Sequence, residues 1–503
     1  MIGDTNAIAS SSQQTTVLDI TVTGANNLIS GGTVTVMMGD QLIAEDITDT
    51  MGKCTIQLGL TNGVMLVSYE KDGDRAEQTV NVAIGVTTQV SLTIITSFTF
   101  TMNYNASNFV SSPNNCLTYA DGCAGFTPVS GPGSSGSTPA KCTNIGSWVM
   151  NADGTSSNKL LDKCFYATFT DAGVLHEKLN PQDLTKKIAT WNNSTKEWVS
   201  ATGSSSITSE NTMFCIPTIY VSSTSTSITL SSKVGGKPFA HTIDNHVYQY
   251  MAIGVYPANG SSTRFKSISG AKSTVGISQS DLIIGCRANT VQNGKAILCN
   301  WFQWQLYRLL VLFSIRHFNS QEKIGQGGQN SGANTGLMNT MGPFAGSSSA
   351  STGDTQGVKA YIENPWGHNY EYLGDFKRLY AEVYALQTST QNTASTTDGV
   401  RVDASPYSLT TTYLASGIIS TEPETWGWGT GSGGSKTTGG CDYQYLLNSS
   451  YPIGIVGGNA LNVSIGYAGV SCLYGDDGSK IGYSGGRLVF VFDINGGGGE
   501  GNP

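Results

Sequence analysis

Charge is scarce in this chain. Of 503 residues, 12% are Asp, Glu, Lys or Arg, the formal net charge is −8, and Lys and Arg form no cluster. Nucleic acid is held by cationic patches that neutralise phosphates, so no nucleic-acid partner is expected. The start, Met1-Ile2-Gly3-Asp4-Thr5-Asn6, lacks a basic segment followed by an apolar one, so no secretory signal is expected. The most apolar stretch, Ala296 to Ile315, is interrupted by Gln303, Gln305 and Arg308, which argues against membrane insertion. The 10 cysteines, at 54, 116, 123, 142, 164, 215, 286, 299, 441 and 472, contain no CxxC pair of the kind a zinc ribbon or thioredoxin-like site needs. Buried free thiols are the simpler expectation. Cys116, Cys123, Cys142 and Cys164, in one loop-rich region, are where disulfides are most expected.

Catalytic and metal signatures are equally sparse. Five histidines, His176, His241, His246, His317 and His368, show no zinc spacing beyond the His241/His246 pair. In a strand, residues five apart point to opposite faces. No Gly-x-Ser-x-Gly elbow or Walker loop is present. Asp476-Asp477-Gly478-Ser479 and Asp153-Gly154 lack the spaced oxygens of a calcium loop and read as turns. The expectation is therefore no cofactor, no metal and no enzymatic activity, although paired acids for glycoside cleavage would leave no local signature.

What the chain has in plenty is glycine, 62 residues, with dense Ser and Thr, while 39% of residues are apolar. That is enough to bury cores, and the length predicts two to four domains. After an arm over 1–15, alternation sets in: Leu18/Ile20/Val22, Val34/Val36, Cys54/Ile56/Leu58, Met65/Val67/Tyr69, Val80/Val82/Ile84 and Val90/Leu92/Ile94 each line one face of a strand. Turn residues separate them, which predicts a small β-sandwich over 16–96. Residues 97–234 read as a second, β-rich module with a flexible loop from Ser130 to Pro139. A third domain is expected over 235–495, followed by a Gly-rich tail, 496–503. Within it, a strand is predicted at Tyr248 to Tyr256 and a helix from about Gly294 to Phe318. In that helix Phe302, Leu306, Leu309, Leu310 and Phe313 form one core face with Arg308 opposite.

Several landmarks in fixed order carry a family resemblance. Asn319-Ser320-Gln321 and the Gly-rich Ile324-Gly325-Gln326-Gly327-Gly328 precede Glu363-Asn364-Pro365-Trp366-Gly367. Val456-Gly457-Gly458-Asn459, Ala468-Gly469-Val470 and Gly486-Arg487-Leu488-Val489-Phe490 close the series. In this order the second half resembles the C-type-lectin-like domains of tailed-bacteriophage surface proteins. Leu117 to Phe126 and Lys178 to Leu184 resemble landmarks of a phage tail and fibre module that packs with such domains, and 16–96 resembles the immunoglobulin-like modules of phage structural proteins. The implied fold is mainly β with some α: an Ig-like sandwich, a β-rich fibre module and a C-type-lectin-like α+β domain.

The resemblance implies a virion surface protein, made in the host cytoplasm, that binds a host-cell glycan or protein receptor alongside other virion proteins, with a homotrimer expected by analogy with fibres. The alternatives are a capsid decoration or head-fibre protein and, in an enzymatic class, a polysaccharide depolymerase. Calcium-dependent lectins use Glu-Pro-Asn or Gln-Pro-Asp with Trp-Asn-Asp; here the order is Glu363-Asn364-Pro365 and the triplet is missing, so calcium-dependent sugar binding is not expected. The lectin-like fold also includes formylglycine-generating enzymes, for which Cys441 and Cys472 would be the reactive pair, without the flanking pattern that chemistry needs.

Glu363, Asn364, Pro365, Trp366, Gly367, Gly486 and Arg487 are expected to be structural. Trp366 fills space beneath a loop, and Pro365 biases Asn364 towards an extended backbone. Gly367 and Gly486 sit where backbone turns or passes close. Binding is expected in the loops. The first candidate group, over 425–451, is Trp426, Trp428, Tyr443, Tyr445 and Tyr451, aromatics on a Gly-rich segment that suit sugar stacking or receptor anchoring. The second, over 459–477, is Asn462, Tyr467 and Tyr474.

Overall fold

The computed structural model describes residues 15–23, 31–39, 41–59, 61–71, 74–93, 98–120, 123, 125–207, 210–349 and 352–379. Beyond these it describes 382–385, 387–391, 400–401, 412–416, 422–424, 426, 430–432, 440–446, 453–457, 470–473 and 482–494. The protein is mostly β, with several sheets and few helices, and divides into two compact units, Met1–Phe98 and Thr99–Pro503.

In the first unit the predicted alternation becomes seven strands: β1 (Thr16–Thr23), β2 (Thr33–Met38), β3 (Gln41–Ile47), β4 (Lys53–Gly59), β5 (Gly63–Lys71), β6 (Asp74–Val82) and β7 (Thr87–Thr93). They form a three-stranded sheet, β4-β1-β7, and a four-stranded sheet, β3-β2-β5-β6. Because every second side chain points the same way, Leu18, Ile20 and Val22 of one sheet and Val34, Val36, Met65, Val67 and Tyr69 of the other meet in one core. Ile84 departs from the expectation: it lies beyond β6 and is exposed. Ile94 lies outside the described residues.

The second unit is organised by an eight-stranded antiparallel sheet. Its order is Glu197–Ser204, Asp183–Asn192, Leu175–Asn180, Phe165–Phe169, Asn211–Pro217, Tyr250–Gly254, Leu488–Phe492, Gly294–Leu298. The 97–234 and 235–495 stretches therefore share one sheet, joined where Asn211–Pro217 pairs with Tyr250–Gly254. Phe165–Phe169 and Leu488–Phe492 are buried at every position, as in strands covered on both faces. On one face Phe165, Phe169, Phe490 and Phe492 pack with Leu282 and Cys286 of helix Gln279–Arg287. On the other, Phe214 stacks on Tyr361 at 5.1 Å between ring centroids, and the Tyr166 hydroxyl donates to the Tyr361 carbonyl at 2.7 Å.

The central helix is shorter than expected, Trp301–Ile315. Residues 294–298 form the edge strand Gly294–Leu298 against Leu488–Phe492, because pairing there buries Ile297 and Leu298 and satisfies the backbone. Asn300 stops the strand and caps the helix, accepting from the amides of Phe302 and Gln303 while its own amide donates to Gln303 Oε1. The expectation of one core face with Arg308 opposite is also corrected: all fifteen residues are buried, Arg308 included. A helix that is apolar nearly all round is enclosed on every side. Its polar side chains must then find internal partners, and Arg308 Nη1 donates to Gln305 Oε1 at 2.8 Å.

The cysteines singled out as the exception to buried free thiols are no exception. Cys116, Cys123, Cys142 and Cys164 are buried free thiols, each placed against a different backbone carbonyl, of Pro113, Thr101, Ile324 and Leu160. Burial pushes the Cys116 and Cys142 thiols up to about 12, which keeps them protonated and inert. No helix among the described residues is long and apolar enough to cross a membrane.

Candidate functional site

The segment Glu363 to Gly367 is buried throughout. Asn364 is not extended, as Pro365 would favour, but left-handed at φ 53°. Asn tolerates this conformation because its short side chain bonds locally. Here the Asn364 amide donates to the Val358 carbonyl at 2.7 Å, and its Oδ1 accepts from the Val358 amide at 3.1 Å. Its Nδ2 reaches Gln329 Oε1. The turn at 358–364 is thus closed on itself and tied to the Gly-rich loop.

Trp366 has no exposed surface, and its indole Nε1 donates to the Gly325 carbonyl at 2.9 Å. Gly367 adopts φ +69°, and a Cβ there would sit 2.7 Å from the Gln326 carbonyl oxygen. The two loops 325–328 and 366–367 therefore pack backbone to backbone, with the Gly328 amide donating to the Gly367 carbonyl at 2.8 Å. Truncating Trp366 to Ala opens a cavity and orphans the Gly325 carbonyl, so a loss of about 3–5 kcal/mol is expected. Chemical denaturation followed by tryptophan-independent far-ultraviolet dichroism checks this; a change below about 1 kcal/mol would remove Trp366 from the framework.

Arg487 is the centre of the site. It is fully buried, and a Cβ at the preceding Gly486 would lie 2.6 Å from Leu298 Cδ1, so a larger residue there would have to displace the Leu298 side chain. Arg487 Nε bonds both Glu371 oxygens at 3.1 and 3.0 Å, Nη1 donates to the carbonyls of Gly254 and Val255 at 2.8 and 3.1 Å, and Nη2 donates to the Glu363 carbonyl at 3.0 Å. The planar fork matches these five directions at once, which a lysine point charge does not. Three separated segments, 254–255, 363–371 and 487, are joined by one side chain. Burial pushes the Glu371 carboxyl above its usual range, and the Arg487 charge offsets part of that.

A second charged group lies beside it. Glu363 accepts from the amides of Gly336 and Met338 at 2.7 and 3.0 Å; burial raises its pKa, and these amides, Lys359 and Arg487 pull it back. Lys359 is fully buried, donates to the Met338 carbonyl at 3.1 Å and lies over the Tyr166 ring, 5.9 Å from its centroid. Burial brings its pKa down to about 7, Glu363 opposes the shift and Lys141 adds to it. His368 is buried between Ser273 Oγ (3.0 Å from Nε2) and the Gln329 carbonyl (3.2 Å from Nδ1). A carbonyl only accepts, so Nδ1 carries the proton and Nε2 accepts from Ser273.

The candidate binding group is only partly within the described residues. Trp426 is, and the expectation that it serves as an exposed platform is corrected. It is wholly buried, its Nε1 donates to the Thr224 carbonyl at 3.1 Å, and its ring meets Tyr104 edge to face at 6.4 Å. A ring enclosed in this way seals the base of the loop and offers no stacking face. The same base is clipped to the central helix: Gln305 Nε2 donates to the carbonyls of Pro423 and Trp426 at 3.1 and 2.9 Å, and Trp301 Nε1 to that of Glu424 at 2.8 Å. Lys237 closes it from outside by ion pairs to Glu422 and Glu424. Tyr443 and Tyr445 lie on strand Gly440–Leu446. Trp428, Tyr451, Asn462, Tyr467 and Tyr474 lie outside the described residues, as do Asp476 and Asp477. Cys441 and Cys472 fall on strands Gly440–Leu446 and Val470–Leu473.

Among the described residues no three His, Cys, Asp or Glu side chains group as metal ligands. His241 is buried and burial lowers its pKa to about 4, whereas His246 pairs with Asp493 at 2.9 Å. Glu371, Lys359, His368 and Gln329 were not singled out by the sequence. The signal for Lys359 was there: in a chain so poor in charge, a lysine between Val358 and Ala360 is set in a buried strand.

No protein-family model matches the chain, and no curated protein matches it. Among solved structures, the TIE protein of Bacillus anthracis aligns at 10% identity and a TM-score of 0.16, over 44% of this chain and 32% of that one. The chain thus spans less than a third of that structure, and a likeness at this level assigns neither fold nor function.

Proposed function

We propose that the chain is a virion surface protein of a tailed bacteriophage, with an Ig-like N-terminal module and a C-type-lectin-like C-terminal part whose loops bind a host-cell glycan or protein receptor. The observation that carries the reading is the closure of the 235–495 stretch upon itself. Near its start the strand Tyr250–Gly254 pairs directly with its last strand, Leu488–Phe492, and Arg487 from the last strand's approach binds the carbonyls of Gly254, Val255 and Glu363. A stretch whose ends meet and whose middle is pinned to that meeting point presents its long segments as loops, which is the arrangement a lectin-like recognition head requires. The order of the motifs along the sequence supports the same reading.

The test is adsorption of the purified, fluorescently labelled full-length chain to intact bacterial cells of candidate hosts. A variant carrying Trp428→Ala, Tyr443→Ala and Tyr445→Ala is expected to lose adsorption by about tenfold or more, since aromatic anchors carry most of an interface's energy. Multivalent display would sharpen the difference. Adsorption by the variant equal to that of the parent chain would move the binding face elsewhere, and a parent chain that adsorbs to none of the cells would favour a purely structural role in the capsid.

A further inference from the structure

A row of four residues crosses the small sheet formed by Ala140–Lys141, Phe344–Gly346, Lys359–Ala360 and Ile362–Glu363. Lys141 is paired with Ala345, Ala345 with Lys359, and Lys359 with Glu363. Directly opposed residues of antiparallel strands put their side chains on one face, so Lys141, Lys359 and Glu363 stand in line from the protein surface to the core. The inner end is the framework already described. At the outer end, Lys141 is exposed and opens onto a depression of about 350 Å³ lined by Lys141, Thr143, Ile145, Val149, Asn151 and Gln182.

We infer that this depression is a binding site for a small hydroxylated carboxylate of the uronic-acid monosaccharide class. Among the described residues no carboxylate lies within 4.0 Å of the Lys141 ammonium, which instead bonds Gln182 Oε1. Gln182 is itself fixed, because its Nε2 donates to the Met150 carbonyl at 2.6 Å. The ammonium lines the depression with no described carboxylate at ion-pair distance, which matches a singly charged anion. The Thr143 hydroxyl and the Asn151 amide suit ligand hydroxyls, and Ile145 and Val149 give an apolar floor for the C–H face of a ring. The volume lies at the small end of ligand sites, about 300–1,000 Å³, and so suits a single sugar ring. Lys359, two strands further in across Phe344–Gly346, adds a second ammonium in the same row, and a bound anion would relieve the repulsion between the two.

The site uses no residue of the proposed receptor-binding loops, so it stands or falls separately from the receptor reading. The experiment is ligand-observed saturation-transfer NMR on the full-length chain with glucuronate, glucose and inorganic phosphate as probes, repeated with Lys141→Met. Met keeps the aliphatic stem and removes the charge at an exposed position, so thermal unfolding should be unchanged within about 2 °C. Glucuronate is expected to bind at least about fivefold more tightly than glucose, and Lys141→Met should abolish that preference. Equal affinity for glucuronate and glucose, or a preference that survives in Lys141→Met, would overturn the site. Phosphate displacing glucuronate at equal affinity would overturn the saccharide assignment, since charge alone would then be read.

Discussion

Replacing Arg487 with Met is expected to abolish the stable fold of the Thr99–Pro503 unit. Met occupies similar volume but supplies no donor. Glu371 is then left as a buried carboxylate without a counter-charge, which costs about 3–5 kcal/mol when one partner of such a pair is removed. The carbonyls of Gly254 and Glu363 lose the guanidinium donor as well, at about 1–3 kcal/mol for each that stays buried and unpaired, while that of Val255 keeps the Glu363 amide at 2.8 Å. The sum exceeds about 5 kcal/mol, comparable with the whole stability of an ordinary domain. Scanning calorimetry should show the transition of the larger unit lost or shifted far down while that of the Met1–Phe98 unit persists. Arg487→Lys should recover little, because an ammonium cannot reach both the carboxylate and the carbonyls. A variant melting like the parent chain would refute the role given to this side chain.

The second large effect is on acid stability. Burial lowers His241 and His368 to about 4, well below the 6.5 of an exposed imidazole. Between those values the unfolded chain binds protons that the native state refuses, so stability rises with pH there. It is fully present above about 6.5 and is lost as pH falls towards 4, by about 3 kcal/mol for each group at most. Glu363 and Glu371 act with the opposite sign: their raised values let the native state hold a proton that the unfolded chain has released, and that contribution fades as pH rises. The histidine contribution is isolated by comparing the parent chain with His368→Gln in denaturant titrations at several pH values. Removing one titrating group should flatten the slope of stability against pH between 4 and 6.5 by up to about 1.4 kcal/mol per pH unit. Superimposable slopes would show that burial does not lower His368 below the value of an exposed imidazole.

These two predictions rest on residues of unequal visibility. Alternation in Leu18/Ile20/Val22 and Met65/Val67/Tyr69 made the strands of the first unit legible, because a strand with one buried face writes its period of two into the sequence. The structural reading of Trp366 and Gly367 was legible for a related reason: a large ring followed by a residue free to adopt positive φ is a local demand. Trp426 was not legible. A tryptophan in a Gly-rich stretch looks the same whether it faces solvent or plugs a gap, and what encloses it, Tyr104 and the Thr224 carbonyl, comes from more than 200 residues away in the chain. The strand Gly294–Leu298 was hidden by the apolar run that continues into the helix, where periodicity alone does not separate the two.

By itself, then, the sequence determined that the chain is β-rich, sparsely charged and built from short alternating strands, since each of these follows from neighbours along the chain. Tertiary structure alone decided that Arg487 would meet Glu371 and four carbonyls, that Arg308 would be enclosed, and that Lys141, Lys359 and Glu363 would fall into one row. Those outcomes depend on which distant segments share a sheet. Burial then sets the energetic worth of each charge, because the same side chain in water would be solvated and nearly neutral in its effect.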